Sequence, residues 1–196
     1  MKKLLLAAAV LMQLAVISCE KMQYGDVTVL SDDLHGFYAL QSPGVTYCLE
    51  SDGTLSECGK SEDNPGWPGS LDLYYEFGDR LLVQYSVYSY KSEKTYVLRQ
   101  EDSAASSNRF SYDAGSRSVD TNLSGFGTGE LILYSAGPDK LEILCDTGRR
   151  EDDGTVLYRL YVMKPVTDQS EITMLQSNIP DTEENRTRIL DEFMSM

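Results

Sequence analysis

The chain has 196 residues, 13 tyrosines against one tryptophan, a single histidine and a formal charge of −14. Charge of that sign is repelled by nucleic acid and by anionic headgroups over a Debye length, which argues against both as partners and leaves cations, basic proteins or plain solubility. The length fits one compact body with a core of its own.

The first segment is a leader. Lys2 and Lys3 precede an apolar run from Leu4 to Ile17, then Ser18 and Cys19. A short cationic start and a brief hydrophobic stretch suit translocon engagement but are too short to span a bilayer comfortably. Residues 1–18 are therefore expected to be an export signal, and residues 19–31, with little periodicity, a tether.

Strand signals follow at short spacing, separated by turn residues. Leu34 to Leu40 is the first and Val45 to Leu49 the second. Cys48 and Cys58 flank the turn Ser51-Asp52-Gly53-Thr54. A three-residue loop centred on Gly53 would set the two cysteines opposite each other, and a two-residue loop would pair Cys48 with Glu57 instead. A 48–58 disulfide with Cys145 as a buried thiol, or three reduced cysteines, are both open. Asn64-Pro65-Gly66-Trp67-Pro68-Gly69 cannot be regular structure.

Leu71 to Phe77 alternates and turns at Gly78-Asp79 into Leu81 to Tyr90, ten residues of alternation and the longest expected strand. Thr95 to Arg99 returns after a polar tip, and 102–108, rich in Ser and Ala, reads as an exposed loop. A weak hairpin is expected over Arg109 to Tyr112 and Arg117 to Thr121. The connection Ser124-Gly125-Phe126-Gly127-Thr128-Gly129 leads into Glu130 to Tyr134, followed by Leu141 to Cys145 and Thr155 to Met163. The body is thus expected to be all-β over 32–166, an antiparallel meander of eight to ten strands that pairs its edges or closes on itself.

The tail, 167–196, changes period. After a break at Ser177 to Pro180, Asp181-x-x-Glu184 has capping-box spacing, and Ile189, Phe193, Leu190 and Met194 form an apolar stripe. A C-terminal amphipathic helix is predicted, either docked on its own sheet or held ready for a partner.

Two resemblances add to this reading. Val16-Ile17-Ser18-Cys19 resembles the lipobox of bacterial lipoproteins, which implies that Cys19 is acylated, becomes the new N-terminus and anchors the protein to the bacterial cell envelope, with the outer membrane expected. Loss of residues 1–18, which carry two lysines and no acid, would leave 178 residues at −16. Leu34-His35-Gly36-Phe37-Tyr38-Ala39-Leu40 resembles the opening Leu-x-Gly-x-Trp-x-Leu of lipocalin-like domains in exported lipoproteins of the Bacteroidetes. Tyr75-Glu76-Phe77, the 139–143 segment and Tyr161-Val162-Met163 agree with it, so that the resemblance covers 32–165. It implies a closed barrel able to hold a small apolar or glycan ligand, with Trp67, Tyr75 and Tyr85 as candidate contacts.

Catalytic signals are thin. A Ser-His-Asp arrangement would need His35, and no nucleophile-elbow motif points to a serine. Paired carboxylates are uninformative in so acidic a chain. Asp152-Asp153-Gly154 lacks calcium-loop spacing, and Gly125-x-Gly127-x-Gly129 leads into a strand, unlike a phosphate cradle. No Cys-x-x-Cys pair exists for zinc. Asp102-Ser103-Ala104 resembles the O-glycosylation signal of Bacteroidetes exported proteins. Neither cofactor, metal nor enzyme activity is expected. Two functions remain, a ligand-binding lipoprotein and a structural or adhesin-like one with a filled interior, working through loops 58–70 and 101–108 or the C-terminal helix.

Overall fold

The computed structural model describes residues 24–41, 45–60, 70–90, 94–123, 126 and 129–196. The expected leader, Cys19, residues 20–23 of the tether and Trp67 lie outside them. The described residues are mostly β, 50% strand and 19% helix, with a C-terminal helix. The strands are β1 (Gly36–Gln41), β2 (Val45–Leu49), β3 (Leu55–Lys60), β4 (Ser70–Gly78), β5 (Leu81–Tyr90), β6 (Lys94–Arg99), β7 (Phe110–Tyr112), β8 (Val119–Thr121), β9 (Leu131–Ala136), β10 (Leu141–Arg150), β11 (Val156–Pro165) and β12 (Ile179–Pro180). The helices are α1 (Asp102–Ala105), α2 (Gln169–Gln176) and α3 (Glu183–Ser195). No described helix is long and apolar enough to cross a membrane.

Two departures from a simple meander have physical causes. The main sheet runs β12-β6-β5-β4-β1-β11-β10-β9, so β1 pairs with β4 and β11, and β2–β3 leaves as a side hairpin. This is possible because β11 is ten residues long: its C-terminal part pairs with β1, its Leu157–Arg159 part with β2. Nor do the ladders close into the expected barrel. Between β9 and β5 stands the hairpin β7–β8, whose ladder pairing to them among the described residues is limited to the isolated bridges Ser118↔Ile132 and Leu81↔Arg109. Its strands have three residues each, too few to carry a continuous ladder on both edges.

Alternation in β4 and β5 sends successive side chains to opposite faces. Tyr75 and Phe77 of β4 and Leu82 of β5 enter the inner cluster with Phe110, Phe126, Leu133, Ile143, Tyr161 and Met163. Further along, Tyr85, Ser86, Val87 and Tyr88 are all buried, because the far end of β5 is covered on both faces. Tyr85 and Val87 pack with Leu175 of α2, while Tyr88 packs with Ile189 and Phe193 of α3. The C-terminal segment therefore wraps the edge: α2 on one face, β12 pairing parallel to β6, α3 on the other face. An exposed edge strand is thereby shielded from pairing with another chain.

The cap of α3 lies one residue later than the expected Asp181. Thr182 Oγ1 accepts from the Asn185 amide at 3.1 Å, and Asp181 instead holds Arg186 through both carboxylate oxygens. The α2 helix, which the strand-centred reading passed over, is capped by Asp168, whose carboxylate accepts the Ser170 and Glu171 amides. Residues 101–108 are not a featureless loop: they hold α1, with Ala105 buried and the Asn108 side chain donating to Gln100 at 2.6 Å.

In the β2–β3 hairpin, Gly53 takes a left-handed φ of 81° and donates to Glu50 O, giving Leu49↔Leu55 and Cys48↔Ser56. The turn thus sits one residue earlier than a loop centred on Gly53, and the strict register would miss Cys58. The register shift at Thr46/Tyr47 leaves Cys58 as the extra residue of β3, between Glu57 opposite Tyr47 and Gly59 opposite Thr46, and Cys48 and Cys58 are disulfide-bonded with Cα atoms 5.9 Å apart. Cys145 is a buried free thiol. Replacing both bridged cysteines with serine is expected to cost about 2–3 kcal/mol, the chain-entropy value for so short a loop, measured by urea unfolding. Unchanged stability would mean that the hairpin is held by its ladder alone.

Candidate functional site

The interior is the first place to look for a site. Tyr75, Phe110, Phe126, Leu133, Ile143 and Met163 are essentially without solvent exposure. Phe126 stacks on Tyr75 at 5.5 Å and meets Tyr161 edge-on at 5.5 Å, and Phe110 meets Phe77 edge-on at 5.1 Å. These rings pack against one another on the side of the sheet where the resemblance places a ligand. One polar atom among them is unmet: the Tyr75 hydroxyl is buried with no hydrogen-bond partner among the described residues. Burial, with a smaller effect from Tyr161, drives its titration far above the ordinary phenol range. Tyr75→Phe removes an unpaired buried donor and is expected to stabilise the fold by about 1 kcal/mol in chemical denaturation. A loss of stability would reveal a bound water or ligand on that hydroxyl.

Tyr85, the other expected contact, is not beside Tyr75. It lies on the opposite face of the sheet, edge-on to Phe37 at 5.6 Å, with its hydroxyl donating to Glu76 at 2.6 Å. Its phenol is pushed up to about 12, first by burial and then by the Glu76 carboxylate. Two other tyrosines fasten the tail in the same way: Tyr74 donates to Glu171 on α2, and Tyr96 to Glu192 on α3, which Lys94 also meets. His35 is exposed. Among the described residues no group of three His, Cys, Asp or Glu could hold a metal ion.

The grooves that described residues line are at the surface. One of about 650 Å³ opens where β8 and β9 diverge from their single bridge, and is lined by Tyr24, Arg117, Thr121, Glu130, Leu131 and Ile132 among others. Smaller ones of about 360 and 220 Å³ lie beside α1 and beside the Arg80–Asp32 ion pair.

Arg117 organises the large groove, and sequence reasoning did not single it out. Its backbone takes φ 59°, a conformation uncommon for a side-chain-bearing residue. From there its guanidinium donates to Gly25 O, Leu133 O and Tyr134 O and covers the Tyr24 ring, 4.5 Å from its centroid. Part of the expected tether is accordingly docked. Tyr24 meets Tyr134 edge-on, Asp26 and Thr28 bond the Ala136 backbone, and Val27 and Val29 pack on the inner cluster. Gly25 lies so close to β9 that a Cβ there would come within 2.5 Å of Ser135 Cβ.

The stripe expected on α3 divides in two. Ile189 and Phe193 are buried against β5 and β6, while Leu190, Met194 and Met196 remain exposed. No family model, no curated protein and no solved structure matches the chain.

Proposed function

We propose that this is a lipid-anchored protein of the bacterial cell envelope, without a catalytic step of its own, whose folded body serves as a structural or protein-interaction module. What supports this choice over ligand binding is the ring packing of the inner cluster, where Phe126 lies against both Phe110 and Tyr75 with no exposed surface. The finer fold reading is a lipocalin-like barrel that keeps the strand path, bridges its gap with the short β7–β8 hairpin and fills its cavity with its own rings. Contacts with a partner then fall to the 101–108 segment and to the exposed Leu190 and Met194 on α3, and to the loop 58–70, most of which lies outside the described residues. The ligand-binding alternative is favoured by one observation, the unmet Tyr75 hydroxyl.

Membrane anchoring rests on Lys2, Lys3, the apolar run and the Val16 to Cys19 quartet. The test combines fractionation with a fluorescent fatty-acid titration of the purified protein. The wild type is expected to stay with membranes until detergent is added, Cys19→Ser to be lost from them, and the fatty acid to give no saturable signal. A Cys19→Ser protein that remains bound to membranes overturns the anchor, and one-to-one fatty-acid binding overturns the filled interior.

A further inference from the structure

We infer that the side of the body bearing Tyr24 and the β8–β9 groove rests on the phospholipid headgroup layer, leaving α3 clear of it; the inference rests on acylation of Cys19. Chain length supports it. Residues 24–29 are pinned along β9 by the Arg117 guanidinium, the Asp26 and Thr28 backbone bonds and the close seat of Gly25, so they lend no slack. Between an acylated Cys19 and Tyr24 the chain can reach at most about 18 Å, five steps at full extension. A body of this size has a radius of gyration of about 16 Å and is roughly 40 Å across. A leash shorter than half that width cannot let the far side touch the bilayer.

The chemistry of the near side agrees. Tyr24 and Tyr134 meet there half-buried, and amphipathic tyrosine rings suit the boundary between headgroups and water. The groove beside them mixes Arg117, Thr121 and Glu130 with Leu131 and Ile132, a lining that can meet both a zwitterionic headgroup and its glycerol. The formal charge of −16 on the processed chain gives anionic lipid no role in holding it, so the contact follows from the leash and these rings. None of the α3 residues lines the groove: α3 packs on β5 and β6 and leaves Leu190 and Met194 exposed.

The experiment uses the full-length acylated protein in phosphatidylcholine vesicles containing a headgroup spin-labelled lipid. Glu130→Cys, in the groove, and Glu184→Cys, on α3, each carry an environment-sensitive fluorophore, Cys145 being buried in the fold. The label at 130 is expected to be quenched several-fold more than the label at 184. Equal or reversed quenching in protein that floats with the vesicles and carries the acyl mass overturns the orientation alone. Protein that neither floats nor carries acyl mass overturns the anchor, and the orientation with it.

Discussion

Phe126→Ala is expected to destabilise the body by about 3–5 kcal/mol, the cost of emptying a buried phenylalanine site that cannot collapse. The ring has no exposed surface and touches three parts of the fold at once: Tyr75 on β4, Phe110 on β7 and Tyr161 on β11. It fills the interior beside the stretch where the ladders fail to meet, so its neighbours are held by the surrounding sheet and cannot move in. Against a usual margin of 5–15 kcal/mol, such a loss brings a marginal domain close to unfolding. Urea titration followed by circular dichroism measures it, and Phe126→Leu should recover much of the difference. A cost below about 1 kcal/mol for the alanine variant would mean that the interior is loosely packed, which would return weight to a bound ligand.

The second large effect is an alkaline transition. Tyr38, Tyr74, Tyr75, Tyr85, Tyr88, Tyr112, Tyr134 and Tyr158 all have phenols shifted upward, with burial the leading cause in each. Tyr85 and Tyr112 reach about 12 from an ordinary 10.0. A phenol that holds its proton more tightly when folded contributes its stability fully below pH 10. That stability is lost as the pH rises, because above 10 the unfolded chain sheds protons that the native one retains. Each pH unit between the two titrations of one phenol is about 1.4 kcal/mol, and eight groups share the sign. Unfolding is therefore expected to set in above pH 10 and be complete near 12, with tyrosinate absorbance and loss of β-sheet signal rising together. Tyrosinate absorbance of all thirteen rings developing near pH 10 while the sheet signal stays intact would show that these eight are solvated.

How much of this was legible in the residues follows from the range of each interaction. Strands β2 and β5 were readable to the residue, since alternation of Val, Leu and Tyr is a local signal. That both faces of β5 would be covered was not, because the cover comes from α2 and α3, about ninety residues later. The α2 helix did carry a local mark, Asp168-x-x-Glu171 ahead of Ile172 and Leu175, and a search for capping spacing outside the extreme tail would have found it.

Phe126 was hidden by its glycine-rich setting, which reads as a connection although its ring is among the most buried in the molecule. Tyr75 and Tyr85 were both singled out, yet strand parity sends odd residues of β4 and β5 to opposite sides: Tyr75 pairs with Gln84, so Tyr85 lies opposite Tyr74. The register shift that leaves Cys58 as the extra residue of β3 depends on both strands of the hairpin and had no mark in either one.

The most direct test of an anchored, solid-cored protein is the native mass spectrum of the material extracted in mild detergent from its own membranes. The account predicts a single species beginning at Cys19, heavier than the 178-residue chain by its acyl groups, with no stoichiometric small molecule retained. A spectrum showing the uncleaved leader, or an unacylated chain carrying one small ligand per molecule, would contradict it.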